Sequence, residues 1–185
     1  MTIFYFIWGI WFLFEIFLSQ KKRTPKELRT DQDKGSFNVL WLAILFGISL
    51  AIILMMNFYV PISKIMVVPY IGLLVIILGI IIRIVSIKTL AENFSTDVNV
   101  RKSQKLMTTG IYKKIRHPAY TGTIISFIGL GLSLNNWLAL ITIVLPVVGA
   151  FLYRIKIEEN VLIEYFGDEY INYSKKTKKL LPFIF

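Results

Sequence analysis

The stretch PAYTGTIISFIGLGLSLNNWLALITIVLPVVGAFLY, residues 118–153, decides the fold of this chain of 185 residues. Its 36 residues carry no charge, so it is too long for one membrane helix at about 1.5 Å per residue. The pair Asn135-Asn136 is a turn signal that divides it into two halves of 17 residues. The stretch therefore predicts a tight hairpin of two short membrane helices.

Three further apolar runs precede this hairpin: Thr2 to about Ser19, Ser36 to Val60 and Ile65 to Ile87. Glu15 and Arg83 are their only charges. Hydrophobic residues make up 56% of the chain and charged residues only 17%, below the share typical of soluble proteins. We therefore predict an all-α integral membrane protein, a bundle of about five transmembrane helices.

We expect one membrane domain over residues 1–185, with three N-terminal spans in 1–88 and the hairpin with a polar tail in 89–185. The first run lacks a basic leading segment and a small-residue cleavage site, so we interpret it as a retained helix and not as a signal peptide.

Positive charge is concentrated in three connections. Residues 20–35 carry six Lys or Arg, residues 88–117 carry seven and residues 154–185 carry six, whereas the segments around Lys64 and Asn135 carry one and none. The positive-inside rule places the N-terminus outside, and the long middle segment and the C-terminal tail in the cytosol. The net charge of +10 thus reflects membrane topology, and no nucleic-acid partner is expected.

Cysteine is absent and there is one histidine. Disulfides and cysteine catalysis are therefore excluded, and no metal site is expected. The cysteine-free composition, rich in Lys and Ile, suggests a prokaryotic cell membrane.

Two pairs of glycines, Gly72 with Gly79 and Gly122 with Gly129, are each seven residues apart on predicted helices. Each pair lies on one helix face, which predicts close helix packing. The alternative is close approach of a cofactor.

The segment GIYKKIRHPAYTG, residues 110–122, contains the single histidine. Pro118 fits the first position of a helix, and His117 then lies at its mouth beside free backbone N–H groups. Such a mouth can hold the carboxylate or ribose hydroxyls of a polar ligand. The alternative is that His117 only caps the helix while Tyr112 and Tyr120 form an interfacial aromatic belt.

Arg154 and Glu158 are four residues apart and share a helix face. Either they form a simple ion pair or, as charges at the end of a membrane helix, they are functional.

An amphipathic pattern from Glu158 to Tyr173 predicts a helix on the membrane surface or folded back over the site, ending near Gly167 or continuing to Ser174. The lysines at 175–179 are expected at anionic headgroups, and residues 180–185 against the bundle.

Residues 93–185 resemble the isoprenylcysteine carboxyl methyltransferase family. The resemblance rests on Asn93-Phe94, a Thr-Gly-x-Tyr turn, Arg-His-Pro-x-Tyr, Arg-x3-Glu, Phe-Gly-x-Glu-Tyr and Leu-Pro-Phe-Ile in that order. The N-terminal half matches only as hydrophobic spans. Members of the family are multi-pass membrane enzymes that transfer a methyl group from S-adenosylmethionine.

The resemblance implies a set of site residues. Arg154 would face the substrate carboxylate, and Arg154 and Glu158 would be the catalytic pair. The residues implied to hold S-adenosylmethionine are Gln104, Lys105, Leu106, Met107, Tyr112, His117, Pro118, Ala119, Tyr120 and Glu158. The family often has histidine where Gln104 stands, and an upstream amide contact corresponds to Asn99.

The implied reaction methylates a lipophilic acceptor, and the carboxylate of an isoprenylcysteine-like substrate is the first choice. A carboxylate is already anionic at neutral pH and needs no general base. A phospholipid amine or a lipophilic hydroxyl would need one, with Glu158, Glu159 or His117 as candidates. A membrane reductase using NADPH and a non-catalytic scaffold or transporter-like protein are further alternatives. The expected partners are the lipophilic or lipidated substrate and membrane lipids.

Overall fold

The computed structural model describes residues 2–21, 33, 35–98 and 104–182 of the chain. Two short 3-10 helices, Ala91–Asn93 and Gly110–Lys113, lie between the third and fourth α-helices. The α-helices are α1 (Thr2–Lys21), α2 (Ser36–Asn57), α3 (Val67–Leu90), α4 (Pro118–Ser133), α5 (Trp137–Phe166) and α6 (Asp168–Lys176). The expectation of an all-helical membrane bundle is confirmed.

Four of these helices, α1, α2, α3 and α5, are long and apolar enough to cross a membrane. The first half of the predicted hairpin, α4, has 16 residues and is about 24 Å long, less than a typical span. Buried residues lie along its whole length because α3 and α5 pack against it. It is thus an inner helix of the bundle.

The second half of the hairpin, α5, continues well past the predicted end at Tyr153 and stops only at Phe166. Residues 154–166 contain neither glycine nor proline, so the helix continues after the charges begin. Gly167 breaks the helix with a positive φ of 54°, and α6 begins at Asp168. Tyr170 and Tyr173 of α6 are buried, so of the two predicted arrangements the structure has the one folded back over the site.

The four spaced glycines lie where α3 and α4 touch. A Cβ atom added at Gly122 would come within 2.7 Å of the Gly79 carbonyl oxygen, and one at Gly129 within 2.6 Å of the Ile76 nitrogen. Backbone meets backbone here, which only glycine permits. The prediction of close helix packing is confirmed.

The connections collect at two ends of the bundle. The α2–α3 connection meets the α4–α5 turn, where the Trp137 N–H donates to the Val60 carbonyl (3.0 Å). The Asn136 side chain caps α5 by accepting from the N–H groups of Leu138 and Ala139. At the opposite end Asp33 meets Arg154 and the N–H of Val98. Asp33, the 96–98 segment and the charged end of α5 therefore meet at the end of the bundle opposite the Asn135-Asn136 turn.

The C-terminal tail pairs with the segment before α4. The Arg116 N–H donates to the Lys178 carbonyl (2.8 Å), and the Lys178 N–H donates to the Lys114 carbonyl (3.1 Å). Leu180 is buried, whereas Leu181 and Pro182 are exposed. Packing of the tail on the bundle is thus borne out up to Leu180, and residues 183–185 lie outside the described part of the chain.

Candidate functional site

A cavity opens at the end of the bundle opposite the Asn135-Asn136 turn, where the 93–98 segment, the start of α4 and the charged part of α5 meet. Its empty volume is about 1500 Å³ with the open mouth included, and residues of all six helices contribute to its wall. With the exception of Pro118, the candidate residues line this cavity. They are Gln104, Lys105, Leu106, Met107, Tyr112, His117, Ala119, Tyr120, Arg154 and Glu158.

The start of α4 forms one wall. Pro118 occupies the first turn, as expected, and His117 holds the N-cap position. The His117 side chain makes no capping hydrogen bond in the described part of the chain; its ring stacks on Tyr120 with centroids 5.6 Å apart and 4° between planes. His117 Nδ1 lies 3.7 Å from a Glu158 oxygen, and Nε2 lies 3.4 Å from Glu159. This histidine therefore faces two carboxylates and does not cap the helix.

Tyr120 joins the two charged candidates. Its hydroxyl donates to Glu158 Oε2 at 2.7 Å and accepts from Arg154 Nε at 3.1 Å. A phenol thus stands between two residues that the sequence could have paired directly. Neither tyrosine fits an interfacial belt, because Tyr112 is buried and Tyr120 half-buried at the cavity.

Arg154 is almost fully buried, with 2% of its surface exposed, and the protein holds its guanidinium on every side. Nη1 donates to Asp33 Oδ1 (2.9 Å) and Ser36 Oγ (2.7 Å), and Nη2 donates to the Thr96 carbonyl. With the Tyr120 contact these bonds use four of the five N–H groups of arginine. Among the described residues none accepts the second Nη2 hydrogen, which is therefore available to a ligand.

Glu159 is at the centre of an ionic cluster beside the cavity. Its Oε1 accepts from Arg116 Nε at 2.7 Å and from the Tyr170 hydroxyl at 3.4 Å, and its Oε2 lies 3.2 Å from Lys179 Nζ. Arg116 also donates to the carbonyls of Ser174 and Thr177. Glu159 thus links α6 and the C-terminal tail to the segment that precedes α4.

Tyr173 of α6 and Tyr112 of the 110–113 turn line the cavity next to this cluster. The Tyr173 hydroxyl donates to the Tyr112 carbonyl at 2.7 Å. Burial raises the pKa of Tyr173 to about 12; burial and the nearby Glu158 charge raise the pKa of Tyr112 well above its usual range. Both phenols are therefore neutral and act as hydrogen-bonding and aromatic surfaces.

Residues 104–107 and 93–98 supply the opposite wall. Gln104, Leu106 and Met107 are half-buried and Lys105 is exposed, while Phe94 and Val98 are buried. Asn99 lies outside the described residues.

The inner part of the cavity has a different character. Its lining is aromatic and aliphatic and comes from α1, α2, α4 and α5: Trp11, Phe12, Leu40, Trp41, Ile44, Phe127 and Phe151. A buried ion pair, Arg83 Nε to Glu15 Oε1 at 2.8 Å, also lies on its wall. The cavity thus combines a polar outer part with an apolar inner part.

The outer part fits the cofactor implied by the sequence. Glu158, with a side chain 29% exposed, offers a carboxylate to an ammonium or hydroxyl group, and the tyrosines of the lining provide aromatic rings for a cation. S-adenosylmethionine carries an ammonium group, ribose hydroxyls and a sulfonium.

Two residues that support the site, Asp33 behind Arg154 and Tyr170 on the cavity wall, were not predicted as site residues from the sequence. Asp33 lies in a charged connection between spans, where nothing distinguishes it from its neighbours. Tyr170 belongs to the Phe-Gly-x-Glu-Tyr motif, but its place in that motif does not indicate a role in the site. Their roles depend on contacts between residues far apart in the chain.

Comparison with known proteins shows to which protein family this chain is related. A profile of the phospholipid methyltransferase family matches residues 67–169, more than half of the chain. This chain belongs to the phospholipid methyltransferase family. The match covers α3 to the start of α6 and so includes most of the polar wall.

Within this family the chain is similar to isoprenylcysteine methyltransferases. A probable protein-S-isoprenylcysteine O-methyltransferase of Oryza sativa subsp. indica is 35% identical over 119 residues, 63% of this chain and 62% of that protein. Protein-S-isoprenylcysteine O-methyltransferases of Saccharomyces cerevisiae and Rattus norvegicus are 38% identical over 115 residues, covering 48% and 40% of their lengths. The resemblance found in the sequence is confirmed, and the chain spans less than two thirds of these relatives.

The fold has a solved counterpart. The eukaryotic intramembrane Ras methyltransferase ICMT (isoprenylcysteine carboxyl methyltransferase) superposes with a TM-score of 0.61 at 24% identity. The superposition covers 98% of this chain and 68% of that structure. The N-terminal helices, which the family profile does not reach, therefore also take part in a shared membrane architecture.

Proposed function

We propose that this protein is a membrane methyltransferase that uses S-adenosylmethionine to methylate a lipophilic acceptor, the carboxylate of an isoprenylcysteine-like molecule. The observation that carries the proposal is the two-part cavity, in which an acidic and aromatic outer part adjoins an apolar inner part. The first part suits a charged nucleoside cofactor and the second a lipid chain. The names of the similar proteins support the same pairing.

S-adenosylmethionine supplies an electrophilic methyl group on a positively charged sulfur. In the proposal residues 104–107, Tyr112 and residues 117–120 hold it, and Glu158 binds its polar groups. The tyrosine rings at the cavity would face the positive charge, an interaction worth about 0.5–2 kcal/mol.

The acceptor is held next to this site. The Arg154 Nη2 hydrogen that no described residue accepts would orient a carboxylate, and the apolar inner part would exclude water from it. Holding the two reactants in line can contribute up to about 7–11 kcal/mol, so positioning alone accounts for much of the expected rate.

A carboxylate acceptor is favoured because neither glutamate at the site is well suited to act as a general base. Glu159 is engaged by Arg116, His117 and Lys179, and Glu158 accepts a hydrogen bond from Tyr120. An amine acceptor would have to lose a proton to one of them. The family's name nevertheless makes a phospholipid amine the second candidate, with Glu158 as the base.

We further infer that the N-terminus lies outside and the cavity mouth faces the cytosol. The concentration of Lys and Arg in residues 20–35, 88–117 and 154–185 supports this orientation.

Calorimetric titration of S-adenosylmethionine into the detergent-purified protein tests the cofactor. We expect saturable binding that Glu158→Gln weakens about tenfold, since a hydrogen bond to a charged group is worth about 1.5–3 kcal/mol. Glu164→Gln, at an exposed position on the same helix, is the matched control and should bind as wild type does. Absence of binding to folded protein, or binding of NADPH instead, would overturn the proposal.

The acceptor is identified by methyl transfer from labelled S-adenosylmethionine in vesicles. An S-isoprenylcysteine analogue and phosphatidylethanolamine are offered separately. A methyl ester is released by mild alkali, whereas an N-methyl group is not, so the product reports the acceptor atom. Alkali-labile label on the isoprenylcysteine analogue is expected; stable label on the phospholipid alone would move the proposal to the amine.

A further inference from the structure

We propose that Asp33 is a positioning residue for the cofactor site: it holds the Arg154 guanidinium away from Glu158 and so leaves the Glu158 carboxylate available to the cofactor. The inference rests on the proposed function and extends it to a residue outside the matched region, residues 67–169. The part of the chain before α2 would thus contribute to a cofactor site whose implied contacts, residues 104–158, lie in the second half of the chain.

Asp33 joins three elements that surround Arg154. Its Oδ1 accepts from Arg154 Nη1 (2.9 Å), from the Ser36 hydroxyl (2.8 Å) and from the Val98 N–H (3.4 Å). Its Oδ2 accepts from the Phe37 N–H at 3.1 Å. The carboxylate therefore links the start of α2, the 96–98 segment and α5 around one buried cation.

The charge of Asp33 is maintained in this setting. Burial by itself would raise its pKa, but the Arg154 guanidinium and the donors from Phe37, Ser36 and Val98 together hold that pKa below its usual range. Asp33 is therefore an anion at neutral pH and compensates the Arg154 charge.

Glu158 is the competing partner. It lies four residues after Arg154 on α5, a spacing at which oppositely charged side chains meet. In the described part of the chain the ion partner of Arg154 is Asp33, and the Tyr120 hydroxyl stands between Arg154 and Glu158. A buried guanidinium without a counter-ion is strongly unfavourable. Removing the Asp33 charge would therefore turn Arg154 toward the acid on its own helix.

The competition predicts a specific pattern in S-adenosylmethionine titrations. Asp33→Asn keeps the size and one acceptor of the side chain but removes its charge, and it should weaken binding about tenfold, as Glu158→Gln does. The double variant Asp33→Asn with Glu158→Gln should bind no more weakly than Glu158→Gln alone, because both changes withdraw the same carboxylate.

Two controls separate this role from a loosened fold. Ser36→Ala leaves the charged pair intact, so its smaller effect should add to that of Glu158→Gln. Glu164→Gln removes an exposed negative charge from α5 and should change nothing. If Asp33→Asn does not fold, Asp33→Glu keeps the charge but moves the carboxylate by one methylene, so the pair with Arg154 is weakened and not lost; the resulting smaller loss of binding should again disappear in the Glu158→Gln background.

The outcomes are distinguishable. Unchanged binding by folded Asp33→Asn, or losses that add in the double variant, would overturn the inference while wild-type binding upholds the proposed function. Failure of the wild type to bind S-adenosylmethionine would overturn both.

Discussion

At the scale of single residues, the site depends on hydroxyl groups that stay neutral among charges. Tyr120 lets a carboxylate and a guanidinium share one oxygen without forming a pair. Tyr173 attaches α6 to the cavity wall through its bond to the Tyr112 carbonyl. Each phenol donates its hydrogen bond, Tyr120 to Glu158 and Tyr173 to the Tyr112 carbonyl, only while it is protonated.

Tyr173 gives a pH prediction. Its pKa is raised from the ordinary value of 10.0 to about 12, so its contribution to stability is fully present below pH 10 and is lost as the pH rises through 12. We expect Tyr173→Phe to lower the unfolding free energy by about 1 kcal/mol and to flatten the decline of stability in this window. Thermal unfolding in detergent, followed from about pH 8 to about pH 12, measures this decline in stability, because tyrosines titrate in that range.

Tyr59→Phe is the matched control, because Tyr59 is 88% exposed on the α2–α3 connection. It should leave the unfolding profile unchanged. An alkaline decline as steep in Tyr173→Phe as in the wild type would contradict the role given to Tyr173.

At the scale of elements, the contact of α3 with α4 fixes where the cavity wall stands. The glycines bring the two backbones together, and Arg83 Nη1 then reaches the Ala119 carbonyl at 3.2 Å. α4 begins at the cavity and its first turn carries His117–Tyr120. The spacing of these helices therefore sets the position of the implied cofactor contacts.

Gly122→Ala should destabilise the protein by about 1–3 kcal/mol, because the added methyl would lie 2.7 Å from the Gly79 carbonyl oxygen and 2.8 Å from the Arg83 nitrogen. Gly149→Ala on α5 is the matched control, since a Cβ there would have nothing within 4 Å. Thermal unfolding of the two variants in detergent compares them. Equal unfolding temperatures would contradict the close contact of α3 and α4.

At the scale of the whole molecule, the site needs both halves of the chain. The matched region supplies the polar outer wall, whereas α1 and α2 supply much of the apolar inner part, including Trp11 and Trp41. Asp33 connects the two halves through Arg154. The orientation of this assembly decides from which side a cofactor can reach the cavity.

The absence of cysteine makes the orientation directly measurable. Lys64→Cys in the α2–α3 connection should react with an impermeant thiol reagent from the outside of intact cells. Lys176→Cys at the end of α6 should react only after the membrane is opened. Both positions are exposed, so accessibility within the protein does not limit either reaction. The reverse labelling pattern would place the cavity mouth outside.

Much of this architecture could be predicted from the sequence, because membrane burial leaves a strong local signal. The apolar runs, the Asn135-Asn136 turn, the spaced glycines and Pro118 at a helix start all have short-range causes, and the structure has them as expected. The motif in residues 110–122 and the Arg154–Glu158 spacing likewise indicated which side chains line the cavity.

Tertiary structure alone decided how these side chains are used. Whether Arg154 pairs with Glu158 or with Asp33, 121 residues away in the chain, depends on where α2 begins relative to α5. Whether α6 lies on the membrane or over the cavity depends on Arg116, Glu159 and Tyr173 finding partners across the fold. The pattern of a sequence reports burial and helical period, which are local, whereas the choice among several partners of a buried charge is made by the packing of distant elements.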